Sequence, residues 1–153
     1  MPIAPEQQRL IDAMVGTWLA DERLLPSPLD PAGGVATGRT QARAALEGRV
    51  VTADYAEERD DQIVFRGHGV YGWDAELRAY RMYWFDSLQP FPRAGHAVGH
   101  WVGHTLTFRV STSSAEHRYI YDFHEPGYYE FRIEIQRSGG KVETYMHGAY
   151  ARQ

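Results

Sequence analysis

The 153-residue sequence contains no cysteine and no long apolar run. Without cysteine the chain can form no disulfide and perform no thiol chemistry, and this composition fits a reducing compartment. The first sixteen residues, MPIAPEQQRLIDAMVG, have no continuous apolar core, so we expect neither a signal peptide nor a membrane span there. These absences predict a cytoplasmic protein without a membrane partner.

The sequence also lacks an excess of positive charge. Its formal net charge is -4, from 16 basic and 20 acidic residues. Nucleic-acid-binding domains usually carry a basic face, so we expect no nucleic-acid partner. No glycine-rich loop follows a strand and opens a helix, which excludes a dinucleotide or phosphate-loop fold. A chain of this length typically forms one domain, which we predict over residues 1–153.

Alternating hydrophobicity predicts that most of the chain is β-strand. A short helix is expected at PEQQRLIDAMVG, with Pro5 in its first turn and with Leu10 and Met14 on one face. After Gly16 the period changes to two. Turn sequences such as HEPG and SGGK predict an antiparallel meander that closes into a barrel or folds as a sandwich. The predicted strands are residues 17–25, 36–46, 49–58, 63–73, 78–86, 98–110, 117–124, 128–136 and 141–151.

The inner face of these strands is predicted to be aromatic. Aromatic residues make up 13% of the chain, whereas a plain core would be mostly aliphatic. Inward tyrosines therefore predict a cavity for a small, mostly apolar or aromatic molecule, with no cofactor. A buried Asp86 would need a tyrosine hydroxyl or an arginine beside it. The predicted ligand-binding residues are Tyr80, Trp84, Asp86, Trp101, Tyr119 and Tyr121; the local pattern leaves the direction of Trp101 open.

Other functions remain as alternatives. In an enzyme, an isomerase or a hydrolase, Asp86 and a histidine would form an acid–base pair within hydrogen-bond reach. Exposed strand faces can also pair, so a homodimer or an assembly module stays open. The acidic segment AEERDD, Ala56 to Asp61, lies at a predicted turn, and we interpret it as a solvated hairpin tip.

The segment GHAVGHWVGH contains three histidines four residues apart. Its glycines disfavour a helix. In a strand, His96, His100 and His104 would share one face at intervals of about 13 Å. One metal ion holds its ligand nitrogens at about 2 Å, so a single strand cannot bring all three to it. We therefore expect no metal site here.

The sequence VGTW, Val15 to Trp18, resembles the Gly-x-Trp start of the calycin barrels, which include lipocalins and fatty-acid-binding proteins. In those barrels the tryptophan plugs one end and an arginine of the last strand packs across it. The resemblance implies these roles for Trp18 and Arg152. A longer string, GHGVYGWD…Y…YWFDS…GHWVGHTLTF…RYIYDF…YEFRIE…GAYAR, is similar to a bacterial family of small lipocalin-like proteins of unassigned function. It covers nearly the whole chain and implies about ten antiparallel strands with a helix near the closed end.

GTW also resembles the start of nitrobindins, which hold haem through a histidine near the C-terminus. This resemblance implies a haem-binding alternative with His147 as the candidate ligand. The sequences LADERLLP and GAYARQ depart from the nitrobindin pattern. Alternation also places His147 opposite Tyr150 and Arg152, so we expect an outward histidine and no haem.

Overall fold

The computed structural model describes residues 2–27, 30–88 and 95–153. Within them, the elements are α1 (Pro5–Met14), β1 (Gly16–Leu24), β2 (Gly34–Ala45), β3 (Val50–Arg59), β4 (Gln62–Asp74), β5 (Ala79–Asp86), β6 (Gly95–Val102), β7 (Thr105–Ser111), β8 (Ala115–Glu125), β9 (Tyr128–Arg137) and β10 (Val142–Arg152). The ten strands form a closed antiparallel barrel in the order β1-β10-β9-β8-β7-β6-β5-β4-β3-β2. The predicted all-β barrel with a short N-terminal helix is thereby confirmed.

The helix α1 covers one end of the barrel. Pro5 lies in its first turn, where a missing N–H costs nothing, and Leu10 and Met14 are buried against the strands. The indole N–H of the buried Trp18 donates to the carbonyl oxygen of Met14 at 2.9 Å. The guanidinium carbon of Arg152 lies 4.7 Å from the centroid of the Trp18 ring. Trp18 and Arg152 are therefore in contact at the helix end.

In the described part of the chain, α1 is too short to cross a bilayer, and no other helix is present that could do so.

The segment GHAVGHWVGH forms β6 and a tight turn. The single strand that was predicted over residues 98–110 is therefore divided between β6 and β7. Gly103 has a φ of 61°, in the left-handed region that suits glycine in tight hairpin turns. Val102 pairs with Thr105 across this turn. The prediction of a single strand was wrong because a turn of two residues hardly interrupts the alternation on either side.

The strand β3 continues to Arg59, so it includes most of the acidic segment that was predicted to be a turn. Asp60 and Asp61 alone form the turn, with φ values of 49° and 60°. Glu57 is only 7% exposed, and both Glu57 and Arg59 face the barrel interior. The interpretation of this segment as a solvated hairpin tip was therefore wrong for Glu57 and Arg59. Alternation from the inward Tyr55 continues through both residues and carries their charges inside.

The inner face of β2 carries only small side chains. Its inward positions alternate with exposed or half-exposed residues such as Arg39. Small residues leave room inside the barrel, which longer side chains of the neighbouring strands β1 and β3 can enter. The inward residues of β2 are Ala36, Gly38, Thr40 and Ala42.

Candidate functional site

The barrel encloses a cavity of about 790 Å³. It extends from Met14, the last residue of α1, to the opposite rim, where Val64 and Leu88 line it and are also exposed. Pockets for small molecules commonly measure roughly 300–1,000 Å³. The volume is therefore suited to a small organic molecule that enters from the end away from α1.

Packed aromatic rings form much of the cavity wall. Tyr121 stacks on Phe131 with a centroid separation of 4.7 Å, and Tyr129 stacks on Tyr150 at the same separation. The hydroxyl groups of Tyr71 and Tyr121 share a hydrogen bond of 3.0 Å. Burial raises the pKa of Tyr71 to about 12 and that of Tyr121 above its usual value. These hydroxyls therefore remain neutral at physiological pH, and the wall is apolar with a few polar points.

One carboxyl group is buried behind this wall. Glu22 is 2% exposed. The hydroxyl of Tyr55 donates to its carboxyl group, lying 2.7 and 2.9 Å from the two oxygens, and the hydroxyl of Tyr150 donates to Oε2 at 2.6 Å. Both tyrosines line the cavity. Hydrogen bonds to a charged acceptor are short and strong, so this unit fixes both rings in the wall.

Gly38 and Gly148 leave room for Glu22 because glycine has no side chain. A Cβ at Gly38 would overlap the carboxyl group of Glu22, and a Cβ at Gly148 would press on the Tyr150 ring. Glu22 pairs with Gly148 on β10, and its side chain passes over Gly38 on β2 to reach Tyr55 on β3. The closed barrel thus joins residues of β1, β2 and β3 to residues of β10, at the other end of the strand sequence.

Burial raises the pKa of Glu22 from 4.5 to about 7. The hydrogen bonds from Tyr150 and Tyr55 oppose this shift, because they stabilise the ionised form. The nearby carboxylate of Glu57 adds to it, and the Arg59 guanidinium reduces it. Near neutral pH the Glu22 carboxyl therefore exists in both protonation states.

A shared ionic cluster lies between Glu22 and the rim. Arg59 Nε is 3.3 Å from Glu57 Oε2, and Arg59 Nη2 is 2.7 Å from Asp30 Oδ2. Burial raises the pKa of Glu57, and Arg59 opposes that shift. One guanidinium therefore serves two carboxylates in the cavity wall, with Glu22 nearby as a third acidic group.

Four of the six residues predicted to bind a ligand line the cavity. Asp86 is half-buried and accepts a hydrogen bond of 3.1 Å from the backbone N–H of Leu88. We expected a tyrosine or an arginine as its partner; in the described residues the bond comes from this strand-end amide. Asp86 also contributes, after burial, to raising the pKa of Tyr119. Ligand binding stays a prediction for the four, which are Trp84, Asp86, Tyr119 and Tyr121.

Tyr80 and Trp101 lie at the helix end, away from the cavity lining. The Tyr80 hydroxyl donates to the carbonyl oxygen of Glu6 in α1 at 2.8 Å. The guanidinium carbon of Arg9, also in α1, lies 4.1 Å from the centroid of the Trp101 ring. Alternation along their strands directs both side chains inward, as it does for the four predicted residues that line the cavity, but the helix covers them. Neither side chain lines the cavity, and ligand contact by Tyr80 and Trp101 stays a prediction.

The histidines of GHAVGHWVGH lie on the outside of the barrel. His96 and His100 are exposed on the outer face of β6, and His104 is exposed in the following turn. Arg81 Nη1 lies 2.7 Å from His96 Nε2 on this outer surface. The barrel wall separates these side chains from Asp86, which faces inward. An acid–base pair between Asp86 and one of these three histidines is therefore not formed.

Two further histidines lie on opposite faces of the wall. His117 lines the cavity near the rim. His147 is exposed on the outer face of β10. A haem inside the barrel could not use His147 as its ligand, so the nitrobindin-like alternative does not fit this residue.

The residues Glu22, Tyr55, Glu57 and Arg59 were missed by the sequence analysis. A usable signal was present, because Glu22 is four residues from Trp18, which was expected inside the barrel, and Glu57 is two from Tyr55. Even spacing along a strand means the same face. Charged side chains were assigned to the solvent by type, and this assignment outweighed their parity.

The fold and its pocket define a closed ten-stranded antiparallel barrel around a largely aromatic cavity. The chain belongs to a family of proteins of unknown function, DUF1579, whose model matches residues 4–152. No curated protein gives a significant match.

Two solved structures share this architecture. The crystal structure of Rv2717c from M. tuberculosis has a TM-score of 0.65 and 10% identity, with 99% of each chain covered. The S-type phycobiliprotein lyase CPES from Guillardia theta has a TM-score of 0.59 and 13% identity, with 95% of this chain and 92% of that chain covered. At such low identity the likeness extends to the fold alone.

Proposed function

We propose that the protein binds a small, mostly apolar or aromatic molecule in the barrel cavity. The cavity of about 790 Å³ carries this proposal. Its stacked rings offer flat apolar surface, and its few buried polar groups can orient a ligand, which is how small-molecule sites are usually built. A barrel that served only as a scaffold would fill this space with side chains.

Two further features support the proposal. The contact between Trp18 and Arg152 at the covered end agrees with the resemblance to calycins, a superfamily that includes ligand-binding barrels. The cysteine-free sequence is in keeping with a site in the reducing cytoplasm. Fold likeness alone does not assign a function, so the proposal rests on the cavity and its residues.

Tryptophan fluorescence tests this proposal. Trp84 lines the cavity, whereas Trp18, Trp73 and Trp101 pack elsewhere in the core. A ligand in the cavity should change the emission of Trp84 in a saturable way during titration with a panel of flat apolar compounds. In Trp84→Phe the fluorescence response should disappear, and in the matched control Trp73→Phe it should remain.

Calorimetry separates loss of signal from loss of binding. Trp84→Phe should still release or absorb heat with a compound that binds the parent, since phenylalanine keeps most of the ring surface. Saturable binding that is blocked by Ala42→Trp, which fills the cavity from β2, would support the proposal. If no compound binds, or if binding survives both Trp84→Ala and Ala42→Trp unchanged, the cavity is not the binding site.

A further inference from the structure

We propose that the polar end of the ligand is a cationic N–H group, such as a protonated amine, bound on the inner face of β3 between the Tyr55 hydroxyl and the Glu57 carboxylate. This inference rests on the proposed function, because it names the ligand class for the same cavity. The two residues are two positions apart on β3 and share its inward face.

The hydrogen bonds around Glu22 determine what the wall can offer. A tyrosine hydroxyl has a single proton to donate, and those of Tyr55 and Tyr150 are directed to Glu22. When Glu22 is ionised, both hydroxyl groups present only oxygen lone pairs to the cavity. A ligand group at Tyr55 must therefore donate, and an acceptor such as a carboxylate would find no proton there.

The charges at this point favour a cation. The ionisable groups that face Glu22 are Tyr55, Glu57 and Arg59 from β3 and Tyr150 from β10, while β2 contributes the uncharged Gly38 at the point of closest approach. Arg59 is held by Glu57 and Asp30 together. Acidic groups thus outnumber the basic group in this part of the wall. A cationic head would balance the excess, and an anionic head would add to it.

The cation should couple to the proton on Glu22. A positive charge near Tyr55 favours the ionised form of Glu22, so binding at low pH must expel a proton. Since the pKa of Glu22 lies at about 7, the affinity for a cationic ligand should be greatest above neutrality. It should fall about tenfold between roughly pH 8 and pH 6, because at the lower pH most Glu22 is protonated.

Three matched naphthalene compounds test the head group by calorimetry at about pH 8. Naphthylmethylamine is cationic, naphthalenemethanol is neutral and naphthoate is anionic, while the flat apolar body is shared. We expect the amine to bind about tenfold more tightly than the alcohol, as for a charge-assisted hydrogen bond, and naphthoate to bind most weakly.

Two variants test the residues, with one control. Glu57→Gln and Glu22→Gln keep the side-chain shape and remove the charge, and each should reduce the preference for the amine to within about threefold of the alcohol. Glu22→Gln should also abolish the pH dependence. Glu58→Gln removes the same charge from the neighbouring position on β3, whose side chain faces Arg39 on the outside, and should leave the preference unchanged. Thermal unfolding shows whether each variant folds; if one of the two test variants fails to fold, the other decides.

The outcomes separate the two proposals. If the amine, the alcohol and naphthoate all fail to bind, the proposed function loses its support. If the alcohol or naphthoate binds as tightly as the amine, the cavity binds ligands but the cationic head is wrong. A preference for the amine that persists in both Glu57→Gln and Glu22→Gln would also overturn the assignment to β3.

Discussion

The hydroxyl oxygen of Tyr150 lies 2.6 Å from Oε2 of Glu22, although 128 positions separate them in the sequence. The pairing of β1 with β10 closes the barrel and creates this contact. A buried hydrogen bond to a carboxyl group therefore lies where the first and last strands pair. The ionisation state of Glu22 should influence both the stability of the barrel and the chemistry of the cavity.

Replacing Glu22 with glutamine should make the barrel more stable at higher pH relative to the parent. The folded-state pKa of Glu22 is raised from 4.5 to about 7, so its neutral form stabilises the fold below the unfolded pKa. That stability is lost as the pH rises towards the folded pKa, by up to about 3 kcal/mol. Glu22→Gln lacks this loss.

Urea unfolding of both proteins at about pH 5 and pH 8 measures the effect. The difference in unfolding free energy, variant minus parent, should increase between the two pH values. The control Glu58→Gln should follow the parent. A difference that is independent of pH would mean that Glu22 titrates in the folded barrel as it does in water.

Adding a methyl group at Gly38 should destabilise the barrel through Glu22. The new Cβ would overlap the carboxyl group, which Tyr55 and Tyr150 hold in place. We expect Gly38→Ala to cost about 1–3 kcal/mol, as overpacked core substitutions do. Gly72→Ala is the matched control, since its Cβ would meet neighbours no closer than 3.4 Å.

A double-mutant cycle identifies the cause of this loss. Glu22→Ala removes the obstructing carboxyl group, so Gly38→Ala should cost much less in that background. Equal costs in both backgrounds would show that backbone conformation, and not the contact with Glu22, makes glycine necessary at position 38.

Removing Arg152 should loosen the helix end without affecting the cavity. Its guanidinium lies over the Trp18 ring, and the side chain is exposed at its end of β10. We expect Arg152→Gln to lower the unfolding free energy by about 0.5–1 kcal/mol, the usual size of an exposed cation–π contact. Arg152→Lys should keep part of it. Thermal unfolding gives the comparison, and a loss as large with lysine as with glutamine would assign the effect to the guanidinium plane.

His147 should make no difference to haem uptake. Its imidazole is exposed on the outer face of β10, across the wall from the cavity. Titration with haemin should therefore give the same absorbance spectrum for the parent and for His147→Ala. A saturable Soret shift in the parent that disappears in the variant would contradict the orientation of this residue and restore the nitrobindin-like reading.

Alternation along each strand was enough to predict much of the barrel. It correctly assigned Trp84, Tyr119 and Tyr121 to the inner face, because each strand has one face towards the interior and one towards solvent. The turn at Gly103 was missed, since a tight turn of two residues leaves the alternation almost unbroken. Alternation does not show where a residue lies along the barrel axis. Tyr80 and Trp101 were therefore predicted to line the cavity, although the helix covers them.

The polar part of the site depends on contacts that a single strand cannot reveal. Glu22, Tyr55 and Tyr150 belong to β1, β3 and β10, and they meet only because the barrel closes and Gly38 leaves a gap between them. The pKa of Glu22 follows from that burial. Alternation along each strand could have shown that each residue faces inward. It could not have shown that the two hydroxyl groups and the carboxyl group meet at one point.

The small side chains on the inner face of β2 set the space in the proposed binding cavity, and a different strand sets its charge. Thr40 and Ala42 line the cavity without bringing charge to it, whereas Tyr55 and Glu57 on the adjacent strand bring its polar groups. Substitutions on β2 can therefore make the cavity narrower or wider while the charges of its wall are retained. Under the proposed function, a series of substitutions graded by volume at position 42 should change the size of the ligand that fits, while the proposed charge preference stays the same.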